Sequence, residues 1–416
     1  MFRLRIIPLI SLLSCVIAPA ADWPQWRGPN RDGKSAETGL LAAWPAGGPH
    51  RVWTAEGLGT GYSSFAVVGG RLFTQGEQGN QGFVLAIDVN TGKQLWKTPA
   101  GGARGDERGG GPRGTPTVDG NRVYALGVDG TLLCLDRDTG KRIWGFNVWE
   151  RFKGTVPEWG ISESPLVDGD RVIVAPGGPG AAVVALNKTT GDLLWKSQSD
   201  PAAFSSAVPF EAGEVRGLAI VTAQAAIGLN IKNGELLWRY PKIINRVANV
   251  ATPVVQNGYV FVSTDYGTGG ALLKLAAEGG SVKASEVYFT REMRNHYTTT
   301  VLVGDYLYGF SSAILTAMHF TTGKVAWRDR SVGKGNCIYA EQRLYCMNES
   351  GVAGLIEATP AAYREISRFE IPRGGSRLAG PKGVSPTWSV PVIADGKLYL
   401  RDQDRLYCHD IRPAQR

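Results

Sequence analysis

The stretch Ala86-Ile87-Asp88-Val89-Asn90-Thr91-Gly92-Lys93-Gln94-Leu95-Trp96 returns downstream as Leu135-Asp136-Arg137-Asp138-Thr139-Gly140-Lys141-Arg142-Ile143-Trp144. Further copies of the phrase end at Gly191 with Trp195, Gly234 with Trp238 and Gly323 with Trp327. Each copy is an apolar strand, an Asp or Asn, a Thr-Gly or Asn-Gly step, three residues of which the last one or two are apolar, and a Trp. Gly supplies the positive φ of a tight turn, and the preceding Asp or Asn bonds the turn backbone. A second phrase lies upstream, Pro116-Thr117-Val118-Asp119-Gly120-Asn121-Arg122-Val123-Tyr124, with relatives starting at Pro165, Pro253 and Pro391. Its Asp-Gly or Asn-Gly step turns a first strand into a second. Each unit therefore reads as four antiparallel strands. The Trp on strand four gives it an apolar face that it cannot bury alone, so the units must stack radially.

Counting the closing aromatics gives the number of units. Trp96, Trp144, Trp195, Trp238 and Trp327 are clear, and Phe289 and Phe369 are assigned the same place in two decayed repeats. The last repeat, Val390 to Ile411, has three strands, and an orphan strand with Trp53 precedes the first full repeat. Ring closure resolves both: Val52-Trp53 becomes the outer strand of the C-terminal unit. The expectation is an all-β, eight-bladed propeller, a single domain over 51–412 with residues 22–50 docked on it. Seven blades is the competing count. Spacings between closing aromatics run from 38 to 51 residues, as four-stranded blades require.

Composition agrees. The 416 residues include 55 Gly, 12 Trp and 14 Tyr but only 4 His and 4 Met, which suits short strands and tight turns. Residues 1–21 read as a signal peptide: Arg3 and Arg5, an apolar run from Ile6 to Ile17, then Ala18-Pro19-Ala20. This predicts an exported protein, periplasmic or secreted; a lipid anchor at Cys15 is the alternative. Beyond the leader no apolar run approaches the length of a membrane span. Removing the leader leaves a net charge of about +6, spread along the chain. The densest basic run, Arg104 to Arg113, is diluted by Asp106, Glu107 and glycines, so no nucleic-acid stripe is expected. A monomer is expected.

Four cysteines remain in the mature chain: Cys134, Cys337, Cys346 and Cys408. They have neither metal spacing nor a small-domain disulfide framework. If Glu341-Gln342 is a two-residue turn, Cys337 lies opposite Cys346 at a non-hydrogen-bonded position, where side chains approach most closely. A disulfide and a pair of free thiols are both open at this point.

The Leu-Asp-x-x-Thr-Gly-Lys-x-x-Trp phrase resembles the PQQ-binding-like propeller repeat. That family includes quinoprotein alcohol dehydrogenases and the BamB-like subunit of the outer-membrane protein assembly machine. The opening Asp22-Trp23-Pro24-Gln25-Trp26-Arg27-Gly28-Pro29-Asn30-Arg31-Asp32-Gly33 is similar to a subgroup of exported bacterial propellers. The resemblance covers roughly residues 22–412 and implies the fold far more than an activity. It implies two readings. One is a binding or scaffold protein of the cell envelope, serving a protein partner or a small anionic ligand. The other is a PQQ-dependent, Ca²⁺-containing alcohol dehydrogenase. The family's dehydrogenases carry adjacent cysteines against the quinone, and no two cysteines are adjacent here. A Cys-x-x-Cys-His haem site is also missing. No catalytic, metal or cofactor residue is therefore assigned, and the binding reading leads.

In a propeller the first strand of each blade lines the channel, and the loop before it rims one mouth. The entries are Tyr62-Ser63-Ser64, Arg113-Gly114-Thr115, Ser162-Glu163-Ser164, Ser205-Ser206, Asn249, Asn295-His296-Tyr297, Lys334 and Trp388-Ser389, with Trp159 and Arg294 nearby. From these, Tyr62, Arg113, Trp159, Glu163, Ser205, Asn249, Asn295, His296, Lys334 and Trp388 are the candidate ligand site. Convergent polar groups in a concave mouth are the default binding feature. Arg113 and Lys334 would favour an anion. Ser and Thr at strand starts also satisfy turn backbone, and Glu163 with Arg113 could be a simple ion pair.

Overall fold

A computed structural model describes residues 22–104, 109–330, 332–373 and 385–414. The leader, Cys15 and part of the basic run lie outside the described residues. Among those described, the strands form eight four-stranded antiparallel sheets. In order, seven blades occupy 66–102, 117–147, 166–197, 208–240, 254–290, 301–329 and 335–370. The eighth joins Val392–Ala394, Lys397–Asp402 and Arg405–Asp410 to the N-terminal strand Arg51–Ala55. Trp53 pairs with Cys408, so the ring closes as the orphan strand predicted.

The repeated phrase is a weld between blades. Asp88 Oδ1 accepts the N–H groups of Asn90 and Thr91 and the Thr91 hydroxyl, and Asp136 does the same in the next blade. On strand four, Trp96, Trp144, Trp195, Trp238 and Trp327 each pair with strand three just before a bulge. That bulge aims the indole at the following blade. Trp96 Nε1 donates to Arg137 O at 3.0 Å, and Trp144, Trp195, Trp327 and Trp53 make matching bonds at 2.8–3.2 Å. The same rings cover the turn glycine of the next blade: Trp53 on Gly92, Trp96 on Gly140, Trp144 on Gly191 and Trp195 on Gly234. At Gly140 a Cβ would lie 2.6 Å from Trp96, so this glycine is required for contact as well as for its φ of +70°.

Two closing positions differ from the sequence expectation. In the fifth blade the bulge falls between Leu272 and Leu273, which puts Tyr288 rather than Phe289 in the welding position. Tyr288 donates to Phe320 O at 2.7 Å and covers Gly323, while Phe289 is exposed. In the seventh blade the register places Ser367, not Phe369, at that position. The empty space is taken by Trp44 from the N-terminal segment. Trp44 donates its backbone N–H to Ser367 Oγ and lies 5.9 Å from Tyr345 at 56°. Phe73 and Trp96 in the first blade have the same relation, at 5.9 Å and 45°. Phe369 is buried against Trp44 instead.

The first part of the N-terminal segment, Trp23 to Arg31, runs across one end of the channel. Trp23 is buried and exchanges backbone hydrogen bonds with Val67. Trp26 Nε1 donates to Thr252 Oγ1 at 2.9 Å. Arg27 donates to Thr299 O and Thr300 O, and Arg31 to Ser164 O and Pro165 O. Innermost or entry segments of four different blades are thus tied to one short segment, which forms a plug. Burial lowers both guanidinium groups to about 10, and nearby acids (Asp32 for Arg27, Glu163 for Arg31) oppose that shift.

Candidate functional site

Three entry strands show how mouth and plug are related. In the third blade Ser162 lines an open cavity, Glu163 points inward, and Ser164 and Pro165 meet Arg31. In the sixth, His296 and Tyr297 line the cavity while Thr299 and Thr300 meet Arg27. In the fifth, Ala248 and Val250 line it and Thr252 meets Trp26. The cavity is therefore the mouth opposite the plug, and the plug lies beneath it.

The mouth is a cup of about 80 Å³ lined by Arg113, Trp159, Ser162, Phe204, Ala248, Val250, Tyr266, His296, Tyr297 and Trp388. Its wall is a run of touching rings. Tyr62 and Trp388 have centroids 5.0 Å apart, Trp388 and Tyr297 5.0 Å, Tyr297 and His296 5.5 Å, and His296 and Tyr266 5.2 Å. The Tyr266 hydroxyl and His296 Nε2 lie 2.8 Å apart. Across the cup Trp159 packs on Phe204 at 5.4 Å.

Of the ten candidates, Arg113, Trp159, His296 and Trp388 line the cup, and Tyr62 is buried against Trp388. Lys334 lies over the Tyr297 ring at 5.2 Å. The other four are placed elsewhere. Ser205 Oγ donates to Ala251 O at 3.0 Å. Asn249 closes its own loop on Asn245, and Asn295 bridges Ser263 and Phe310 O. These three are buried and serve the backbone. Glu163 is buried below the cup, where its Oε2 accepts the Ala175 N–H at 2.7 Å. Desolvation pushes its carboxyl up to about 8, opposed by that hydrogen bond and by Arg31. Its charged neighbour is thus Arg31 of the plug, in place of the simple pair with Arg113.

Both cations offered for an anion are engaged. Arg113 donates to the carbonyls of Trp159 at 3.0 Å and Gly109 at 3.1 Å, and stands over Tyr62. Lys334 pairs with Glu349 at 3.4 Å. Glu349 also accepts the Trp388 indole N–H at 2.8 Å and faces Tyr297, whose hydroxyl is raised well above its ordinary range by burial and then by that carboxylate. The entry-loop reading missed Glu349 and Tyr266. Both stand in the turn between strands two and three of their blades, which opens on the same face as the entry loops. That shared face was the available signal.

A quinone with a calcium ion does not fit these residues. The cup is small beside the roughly 300–1,000 Å³ of ordinary ligand sites, and Arg27 and Arg31 fill the channel below it. Among the described residues, no group of three or more His, Cys, Asp or Glu is placed to hold a metal ion.

Comparisons with known proteins bear on the family. BamB, the outer membrane protein assembly factor of Burkholderia pseudomallei, is 26% identical over 312 residues, 72% of this chain and 74% of that protein. The crystal structure of BamB from Moraxella catarrhalis superposes with a TM-score of 0.61 at 14% identity, covering 88% of this chain and 98% of that one. Quinohemoprotein alcohol dehydrogenase from Comamonas testosteroni gives 0.64 at 14% identity, covering 95% and 81%. These two likenesses establish the shared fold. A family model described as outer membrane protein assembly factor BamB matches residues 37–150 and 80–329, more than half of the chain. The repeat, the closed eight-bladed ring and this match together make the chain a member of the BamB-like, PQQ-repeat propeller family.

Proposed function

We propose that this chain is an exported binding propeller of the cell envelope, and that its aromatic mouth receives an apolar side chain of a protein partner. The observation that carries the reading is the cup itself: a shallow concavity walled by Trp159, Tyr266, Tyr297 and Trp388, with Arg113 at its edge. Protein-binding hot spots are enriched in Trp, Tyr and Arg set in desolvated pockets. The cup's size suits one side chain. The engagement of Arg113 and Lys334 within the protein favours a protein partner over a small anion. The relatives named as outer membrane protein assembly factors support a scaffold role in the envelope.

The test is a deletion strain of the source bacterium scored for folded outer-membrane β-barrel proteins. The wild-type gene restores them, and so does Leu95→Ala, a change on the outer rim. Trp388→Ala combined with Tyr297→Ala restores less than a tenth, as the loss of two hot-spot rings predicts. Full rescue by the double variant would remove the mouth from the function. Stoichiometric uptake of PQQ with Ca²⁺ in calorimetry, with dye-linked alcohol oxidation, would replace the binding reading by the dehydrogenase one.

A further inference from the structure

We infer that Cys337 and Cys346 form a cross-strand disulfide that staples the seventh blade. Four observations carry this. First, the register pairs Cys337 directly with Cys346 on the strands Gly335–Ala340 and Arg343–Asn348. Second, the connecting turn is Glu341-Gln342, with φ of 43° and 66°, as a two-residue hairpin turn of the tightest kind requires. Counting out from it, Ala340–Arg343 is a hydrogen-bonded pair, and the alternation makes Cys337–Cys346 a non-hydrogen-bonded one. Such pairs bring Cα atoms to about 4.5 Å, within the range a disulfide spans. Third, both side chains are buried and in contact; that contact, helped by Arg27, draws the Cys337 thiol below its ordinary range and makes it the better nucleophile.

Fourth, the other cysteines have different partners. Cys134 pairs with Tyr124 and Trp144, and Cys408 with Tyr399 and Trp53. The paired cysteines also fall in the blade whose own strand-four Trp is replaced by Ser367 and whose weld is borrowed from Trp44. A covalent tie there reinforces the blade with the most dependent packing.

Both sulfurs are thiols in this structure. The oxidant is a disulfide of an envelope thiol oxidase, which rests on the exported reading. The Cys337 thiolate attacks that disulfide and releases one thiol. The Cys346 thiolate then attacks the mixed disulfide at Cys337 and releases the second. Two cysteine thiols lose two protons and two electrons, and the oxidant becomes a dithiol. Because the hairpin is local in sequence, it forms and is oxidised before the ring closes over it.

The experiment is peptide mapping of the protein from the envelope, with thiols blocked by N-ethylmaleimide at harvest. Trypsin cuts after Lys334 and Arg343, so it separates the two cysteines. The expected result is a linked pair, 335–343 with 344–364, and two rather than four blocked thiols after unfolding. The Cys337→Ser, Cys346→Ser variant should melt roughly 2–5 °C lower without reductant, and match the wild type in its presence. A second arm refolds protein made in the cytosol in a glutathione redox couple. Oxidation there, with free thiols in envelope protein, upholds the staple and removes the exported setting. Four blocked thiols in both arms, or linkage to Cys134 or Cys408, overturns the proposal.

Discussion

Two residues illustrate how locally this molecule can be tested. Gly120 and Gly140 both have positive φ, but space differs: nothing lies within 4 Å of a Cβ at Gly120, whereas at Gly140 it would meet Trp96 and Thr98. Gly120→Ala should cost about 1 kcal/mol from backbone strain alone. Gly140→Ala should cost roughly 2–4 kcal/mol more, because the weld must open; chemical denaturation measures the difference. Glu163 gives a pH signature. Its folded pKa of about 8 is raised above the unfolded value, so its contribution to stability is complete below about 4.5 and is lost as pH rises through about 8. Wild-type melting temperature should therefore fall across that window. Glu163→Gln keeps an oxygen for the Ala175 N–H and should flatten the fall, giving the more stable protein at pH 8. An unchanged slope would mean that Arg31 holds Glu163 ionised.

At the level of elements, the repeated phrase made the strands and turns legible because each of its residues has one mechanical duty. The reading failed where two duties were split. In the fifth blade the bulge selects Tyr288 over its neighbour Phe289, and nothing in a run of aromatics fixes a bulge. In the seventh, the missing Trp is replaced from far away in the chain, so no local pattern could reveal it. The replacement makes a prediction. Trp44→Ala should destabilise the protein by about 3–5 kcal/mol and raise hydrogen exchange first in 335–370, because Tyr345 and Phe369 lose their covering ring. Exchange rising equally in all blades would show that Trp44 has no special tie to the seventh.

Across the whole molecule, the blade number and closure could be read from the sequence because three terminal strands and one orphan strand have a single economical pairing. The mouth could be read in part. Entry loops located Arg113, Trp159, His296 and Trp388, but polarity was a poor guide to Ser205, Asn249 and Asn295, whose side chains answer to nearby backbone. Docking of the N-terminal segment was legible from its tryptophans, but the roles of Arg27 and Arg31 in the plug were not: they bond carbonyls, and carbonyls are present at every position of any sequence.

The pairing of Arg51–Ala55 with Arg405–Asp410 has a consequence for the order of synthesis. The first strand of the ring to leave the ribosome has its partner among the last. Until that partner appears, Trp53 has no Tyr399 to lie against, and the first blade has no neighbour on one side. A chain cut short anywhere before residue 405 keeps an open strand edge and an exposed seam. Such fragments should be cut by proteases faster than the finished ring, because the edge that closure seals is open in them.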